Sequence, residues 1–339
     1  MRILKYLVLF LICVATIWYC TAKKGGYQMI SGQVFGTFYN IKIRAGNENR
    51  LLQREVKEEL AKVNAEMSVF EMSSEISEIN RQPAEKWIDL SPEMSKLLKN
   101  AYQIYKMSDG AFDPTTARLI DLWGFGTKGS IQKLPDEEDI REILKTTGFN
   151  KIQFSHDFKR LRKSHAETTL NLSAIAKGYG VDRLAALLKQ SGYSDFVVEV
   201  GGEVVASGAK SDTLDGWNIG IATPTNEGNE NSFVVTLKDY AVATSGDYRN
   251  FFYIDDKQYS HTINPRTGYP IEHNLVSVTV FHKECMMADG LATAIMAMGD
   301  EKAKNFISKN GLATVMFVKD ENKNIKPIIS EAAQKLGIR

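Results

Sequence analysis

Apolar and polar positions alternate over residues 34–44: Tyr39, Ile41 and Ile43 fall on one face, and Asn40, Lys42 and Arg44 on the other. That two-residue period predicts a half-buried strand. The period then lengthens, and residues 51–67 carry their charges on one face of a helix. Ser91-Pro92 opens another helix, Ser as N-cap and Pro in the first turn, which runs to about Met107 and ends at the turn Ser108-Asp109-Gly110. Pro135-Asp136 begins a helix that closes at Thr147-Gly148, and residues 174–189 form one that ends by Gly192. Ile152, Phe154, Leu161 and residues 170–172 read as short strands joined by turns. Short β-branched or aromatic strands follow at 196–200, 204–207, 217–222, 233–237 and 240–243. A strong strand at 275–281, a long apolar helix at 286–298 and a late strand at 314–318 complete the series. The polar stretch 226–231 reads as a hairpin tip rather than a domain boundary. Helices and strands interleave without regular βαβ alternation, so the expected fold class is α+β rather than a doubly wound sheet.

Composition narrows the classes. A chain of 339 residues holds one large domain or two ordinary ones. Hydrophobic residues at 43% and charged residues at 24% are the globular average, which excludes disordered and fibrous classes. Lys plus Arg number 42 against 41 acidic residues, with no basic or acidic tail. Nothing in that balance argues for nucleic acid, whose affinity rests on concentrated Lys and Arg facing phosphates.

At the N-terminus, Arg2 and Lys5 precede an apolar run over residues 6–18 broken only by Thr16, and Cys20 and a polar stretch follow. The run is short for a membrane span and its basic flank comes first, as in a signal peptide. A Cys after such a run resembles the lipobox of bacterial lipoproteins. The expected organisation is a signal peptide at 1–19, a linker at 20–30 lipid-anchored through Cys20, and one domain at 31–339. Trp18 and Tyr19 stand where a lipobox favours small residues, and the other reading is an uncleaved N-terminal anchor. Both readings export the chain, giving a membrane-anchored protein facing the periplasm. Beyond Cys20 the only cysteine is Cys285, so the core carries the fold without an internal disulfide.

Polar, Gly-rich clusters punctuate these elements. Singly, each has a structural reading: Asp113-Pro114 begins a turn, Leu122-Trp123-Gly124-Phe125-Gly126 staples a loop, and Gly201-Gly202 makes a tight hairpin or lets backbone approach a ligand. In order, the chain shows Val34-Phe35-Gly36-Thr37-Phe38-Tyr39, Met67-Ser68-Val69-Phe70 with Ser77-Glu78-Ile79-Asn80, and Gly110-Ala111-Phe112-Asp113-Pro114-Thr115. Next come Leu122-Trp123-Gly124-Phe125-Gly126, Leu172-Ser173-Ala174-Ile175-Ala176-Lys177-Gly178-Tyr179 and Gly201-Gly202. Thr244-Ser245-Gly246-Asp247-Tyr248-Arg249, His261-Thr262-Ile263-Asn264-Pro265-Arg266-Thr267-Gly268 and Ala288-Asp289-Gly290-Leu291-Ala292-Thr293-Ala294 follow. This ordered series, from about Val34 to the C-terminus, resembles the ApbE family, the FAD:protein FMN transferases.

The resemblance implies a T-fold-like α+β core with an added helical portion over roughly residues 51–147. It implies FAD as substrate, held by Phe35, Phe70, Ala111, Phe112, Asp113, Asn171 and Lys177, with Gly201, Gly202, Ser245, Gly246, Arg249, His261, Thr262 and Ile263 contributing. Lys177 near a helix N-terminus suits a pyrophosphate. A divalent metal, Mg2+, is implied at Asp289, Thr293 and the Ala174 carbonyl. The i, i+4 spacing puts both side-chain oxygens on one helix face, and an all-oxygen set suits Mg2+. Alone, Asp289 reads as a helix N-cap. The sequence departs from the family pattern at Asn171 (usually Asp), Phe35 (commonly Met) and Glu203 (usually Asn or Asp).

The implied reaction joins FMN to a protein Thr or Ser hydroxyl and releases AMP, with His261 as base. Histidine titrates near neutrality. Of the five histidines, His156 and His165 sit among turn residues, while His273 is the fallback and His282 matches no motif. The implied acceptors are flavin-carrying subunits of membrane redox pumps, of the sodium-pumping NADH:quinone reductase or Rnf type. Two rivals fit the same residues: metal-dependent FAD hydrolysis to FMN and AMP, and flavin binding without catalysis.

Overall fold

The computed structural model describes residues 26–45, 50–127, 129–225, 228–246, 251–255 and 257–338. Cys20, the signal segment and Arg249 lie outside them. An eight-stranded sheet forms the frame, in the order Tyr27–Val34, Thr37–Arg44, Phe196–Val200, Glu203–Ser207, Tyr240–Gly246, Leu275–His282, Ala313–Lys319, Ile325–Ile329. Every neighbouring pair is antiparallel, which is why the sequence shows no βαβ rhythm.

The strand pattern explains where the core lies. In Leu275–His282 every residue but the last is buried, because helices cover one face of the sheet and a hairpin the other. On the helical side Ala243, Val278 and Val280 join a cluster with Leu98, Ile104, Ile175 and Ile295. On the other side Val204, Ala206, Val242 and Phe281 pack with Trp217, Ile221, Val235 and Leu237. Those last four come from the hairpin of Trp217–Thr225 and Gly228–Leu237, whose pairing carries through to Thr225 and Gly228. The expected hairpin tip at 226–231 is thus tighter, its strands extending into the polar stretch.

The helix Cys285–Met298 is buried almost all round, as its unbroken apolar sequence requires. It packs against Ser173–Gln190 and Pro92–Met107. The helices between residues 50 and 147 have local causes. Ser74 and Ser91 accept hydrogen bonds from the backbone N–H of Ser77 and Met94, and Pro92 fits the first turn.

Several elements differ from the sequence expectation. Residues 170–172 form no strand, because the Asn80 side chain takes both backbone groups of Leu170, at 2.7 and 2.8 Å. The edge strand Tyr27–Val34 begins inside the segment expected to be linker. Ile325–Ile329 and the helices Ala117–Leu122 and Asp300–Asn310 also emerge without a clear period in the sequence.

Candidate active site

A cleft of about 580 Å3 opens where the sheet, the two central helices and the loops after Pro92–Met107 converge. Its size is that of a ligand pocket rather than a packing void.

The two helices that flank it touch through a glycine. A Cβ on Gly178 would lie 2.5 Å from the Cys285 carbonyl oxygen, so only glycine permits this approach. The contact brings the Gly178 N–H within 2.9 Å of Asp289 Oδ2, to which it donates. Helix geometry pairs that same N–H with the Ala174 carbonyl, so sharing it leaves the carbonyl with capacity for another partner. A second tie lies one turn along: Asp182 accepts from the Cys285 and Met286 N–H groups, each at 2.9 Å, and caps the helix that carries Asp289. Burial pushes the Asp182 carboxyl up to about 6, against the pull of those two N–H groups.

Asp289 is 2% exposed. Lys177 Nζ lies 3.7 Å from its Oδ1 and 3.4 Å from Oε1 of Glu203, which is equally buried. Burial disfavours the lysine charge, but the two carboxylates outweigh it and its pKa is raised. The carboxyls of Asp289 and Glu203 are pushed up by burial, with Lys177 opposing. Gly201 and Gly202 form the two-residue turn before Glu203, both with positive φ. The hairpin reading of that pair holds, and a Cβ on Gly201 would crowd Lys177 Cδ at 3.1 Å.

Asp289, Thr293 and Ala174 all line the cleft, and Ser245 places its hydroxyl 3.4 Å from that of Thr293. Among the described residues no group of three or more His, Cys, Asp or Glu could hold a metal. The donors are therefore one carboxylate and neutral oxygens. This set fits a hard cation that keeps water or phosphate in its remaining positions, as Mg2+ does.

His261 reaches the cleft at the end of the strand Lys257–Ser260. Its ring meets Phe125 edge-on, centroids 6.2 Å apart. Phe125 stacks on Phe252, Phe252 on Tyr259 and Tyr259 on Trp123, whose indole N–H donates to the Gly268 carbonyl at 2.8 Å. The aromatic motif at 122–126 is thus a staple, as its local reading holds, and what it staples is the histidine segment. His273 is excluded as the fallback: its Nε2 lies 2.7 Å from the Met296 carbonyl and it does not line the cleft. His282 pairs with the Glu284 backbone, while His156 and His165 are exposed.

Phe70, Ala111, Phe112, Asn171, Gly246, Thr262 and Ile263 also reach the cleft. Four expected contacts are wholly or partly engaged elsewhere. Phe35 is absent from the lining: it sits in a left-handed turn, φ 51°, and its ring packs against Gly180 and Leu60. Asp113 borders the cleft, but Oδ1 accepts from the Thr115 N–H and hydroxyl and Oδ2 from the Phe149 N–H. Its carboxylate ties the loop together, and burial raises its pKa. Asn171 Oδ1 accepts from the Ser173 N–H at 2.8 Å, which leaves its second lone pair and its amide nitrogen for a ligand. Gly202 turns the chain without lining the cleft.

Asn80, Phe125 and Glu203 belong to the cleft and were not expected there as ligand-facing residues. Glu203 carries a signal, a charge inside an apolar strand, and at 2% exposure its burial demands a partner.

Fold and cleft define a class: an antiparallel α+β protein whose cleft gathers Lys177, His261, Asp289 and Thr293. The ApbE family model matches residues 35–317, and the chain belongs to that family. It is 36% identical over 312 residues to the FAD:protein FMN transferase of Vibrio cholerae, covering 89% of this chain and 92% of that protein. The enzyme of the same name from Escherichia coli is 34% identical over 298 residues, covering 86% and 84%. The crystal structure of the flavin transferase ApbE from Vibrio cholerae superposes with a TM-score of 0.84 at 34% identity, over 92% of this chain and 99% of that one. The apo flavinyl transferase ApbE from Pseudomonas stutzeri gives 0.84 at 33% identity, over 93% and 98%.

Proposed function

We propose that this chain moves the FMN half of FAD onto a Thr or Ser hydroxyl of an acceptor protein and releases AMP. The observation that carries the reading is the meeting of His261, Lys177, Asp289 and Thr293 in one cleft of a chain belonging to this family. Phe70 borders the cleft as an exposed ring on which a flavin or adenine can stack. Lys177 donates to the pyrophosphate oxygens. Asp289, Thr293 and the Ala174 carbonyl would hold Mg2+, which when bound would supply charge neutralisation at the pyrophosphate. His261 accepts the proton of the acceptor hydroxyl while its oxygen bonds to the phosphorus of the FMN half. The bond from that phosphorus to the bridging oxygen breaks, and AMP leaves with the oxygen.

Export and membrane anchoring through Cys20 belong to the same proposal, as do acceptors among the flavin-carrying subunits of membrane redox pumps. Supporting the anchor is the basic-then-apolar segment ending near Cys20. Among the described residues no helix is long and apolar enough to cross a membrane.

Mass spectrometry of a candidate acceptor after incubation with FAD and Mg2+ tests the reaction. The expected product is the acceptor carrying one FMN on a hydroxyl residue, with AMP formed in equal amount. AMP released at the same rate without acceptor would instead identify a hydrolase.

A further inference from the structure

The ammonium of Lys177 stands between two buried carboxylates, only one of which the cation reading uses. We propose that Glu203 is the holding partner of Lys177: when a divalent cation takes Asp289, the lysine stays in the cleft paired to Glu203. Glu203 thereby sets how readily a cation displaces lysine from Asp289. This rests on the reading of Asp289 as a cation ligand.

Geometry supplies the argument. Oδ2 of Asp289 is committed to the Gly178 N–H, so the carboxylate is pinned and offers Oδ1 outward. Lys177 Nζ lies 3.7 Å from that oxygen, and a cation at Asp289 must contend with it. Two positive charges in a partly desolvated cleft repel strongly, so one must move unless a second anion receives it. Glu203 is that anion, already 3.4 Å from Nζ through Oε1. Its Oε2 is buried without a hydrogen-bond partner and can accept another of the three ammonium protons as the lysine shifts. The absent side chain of Gly201 leaves the room through which the lysine stem passes.

Titration of the full chain with Mg2+ alone, followed by calorimetry and by thermal unfolding, tests this without reference to activity. Glu203→Gln leaves the ammonium only Asp289, and Mg2+ affinity is expected to fall about tenfold, within the range of coupling between contacting charges. Lys177→Met should bind Mg2+ more tightly than the wild type. The pair Lys177→Met with Glu203→Gln should match Lys177→Met, since with the lysine gone Glu203 has nothing to hold. A double variant as weak as Glu203→Gln would overturn the proposal, because Glu203 would then be ligating the cation itself. Unchanged affinity in Glu203→Gln would overturn it too. Asp289→Asn separates the underlying reading: Mg2+ binding should vanish in every background, and its survival would sink the ligand assignment whatever Glu203 does. Glu203→Gln keeps Lys177 paired with Asp289 and so buries no unpaired charge, while the double variant leaves only Asp289, whose charge the titrated Mg2+ itself compensates.

Discussion

The Gly178 N–H donates to Asp289 Oδ2 across 2.9 Å, joining two helices through residues 111 positions apart in the chain. The bond exists because residue 178 has no side chain: a Cβ there would meet the Cys285 carbonyl at 2.5 Å and Met286 Cα at 2.8 Å. Both obstacles are backbone, which cannot rotate aside as a side chain would. Gly178→Ala is therefore expected to push the helices apart, with about 1–3 kcal/mol lost from overpacking. Stabilisation by Mg2+ should fall along with it. Urea unfolding with and without Mg2+ measures both, and an unchanged Mg2+ increment would show that the contact does not shape the cation site.

Asp289→Ala removes the only carboxylate among the three cation donors. FMN transfer should collapse, and excess Mg2+ should recover little of it. FAD affinity, followed by flavin fluorescence, should suffer less because Phe70 and the loop at 110–113 remain. Near-normal turnover would eliminate the assignment.

His261→Asn keeps a polar side chain but no base. FAD binding should persist while transfer slows by about 10²–10⁴, the usual span for general acid–base catalysis. Phe125→Ala, which removes the ring standing against His261, should lower kcat by a smaller factor with KM for FAD little changed. Transfer within a few-fold of wild type in His261→Asn would rule the base role out.

Asp182 makes a pH prediction. Its carboxyl titrates near 6 in the fold against 3.8 as the reference, because burial disfavours the charge more than the two N–H groups favour it. A raised pKa means the folded state holds its proton longer than the unfolded state. The stability linked to this group is thus fully present below about pH 4 and is lost as pH rises through about 6. Asp182→Asn should flatten the corresponding part of the stability–pH profile between those limits. Parallel profiles for the two proteins, measured by urea unfolding, would refute this account.

Cys20→Ala should release the protein from the membrane fraction if a lipid on that sulfur is the tether. Retention in the membrane would point to an uncleaved N-terminal helix.

The sequence by itself determined the class of elements and named several residues, Lys177, His261, Asp289 and Thr293 among them, that the fold brings to one cleft. Two-residue alternation at Tyr39, Ile41 and Ile43 and the caps at Ser91-Pro92 are local physics, and local physics survives folding. Asp289 and Thr293 share a helix face because their spacing is four. What a side chain does with its partners was decided by the tertiary structure. Asp113 spends both oxygens on Thr115 and Phe149, Phe35 turns away onto Gly180, and Asn80 takes the backbone of Leu170 out of any strand. Apart from Thr115, two residues from Asp113 in a local turn, those partners lie at no helical or strand spacing from the residue they engage, so no periodicity announces them. The same holds for the helix contact at Gly178 and for the pairing of Lys177 with the buried Glu203. Two carboxylates can stay buried there only because distant segments bring the half-buried Lys177 ammonium to them, and that proximity is a property of the packed chain alone.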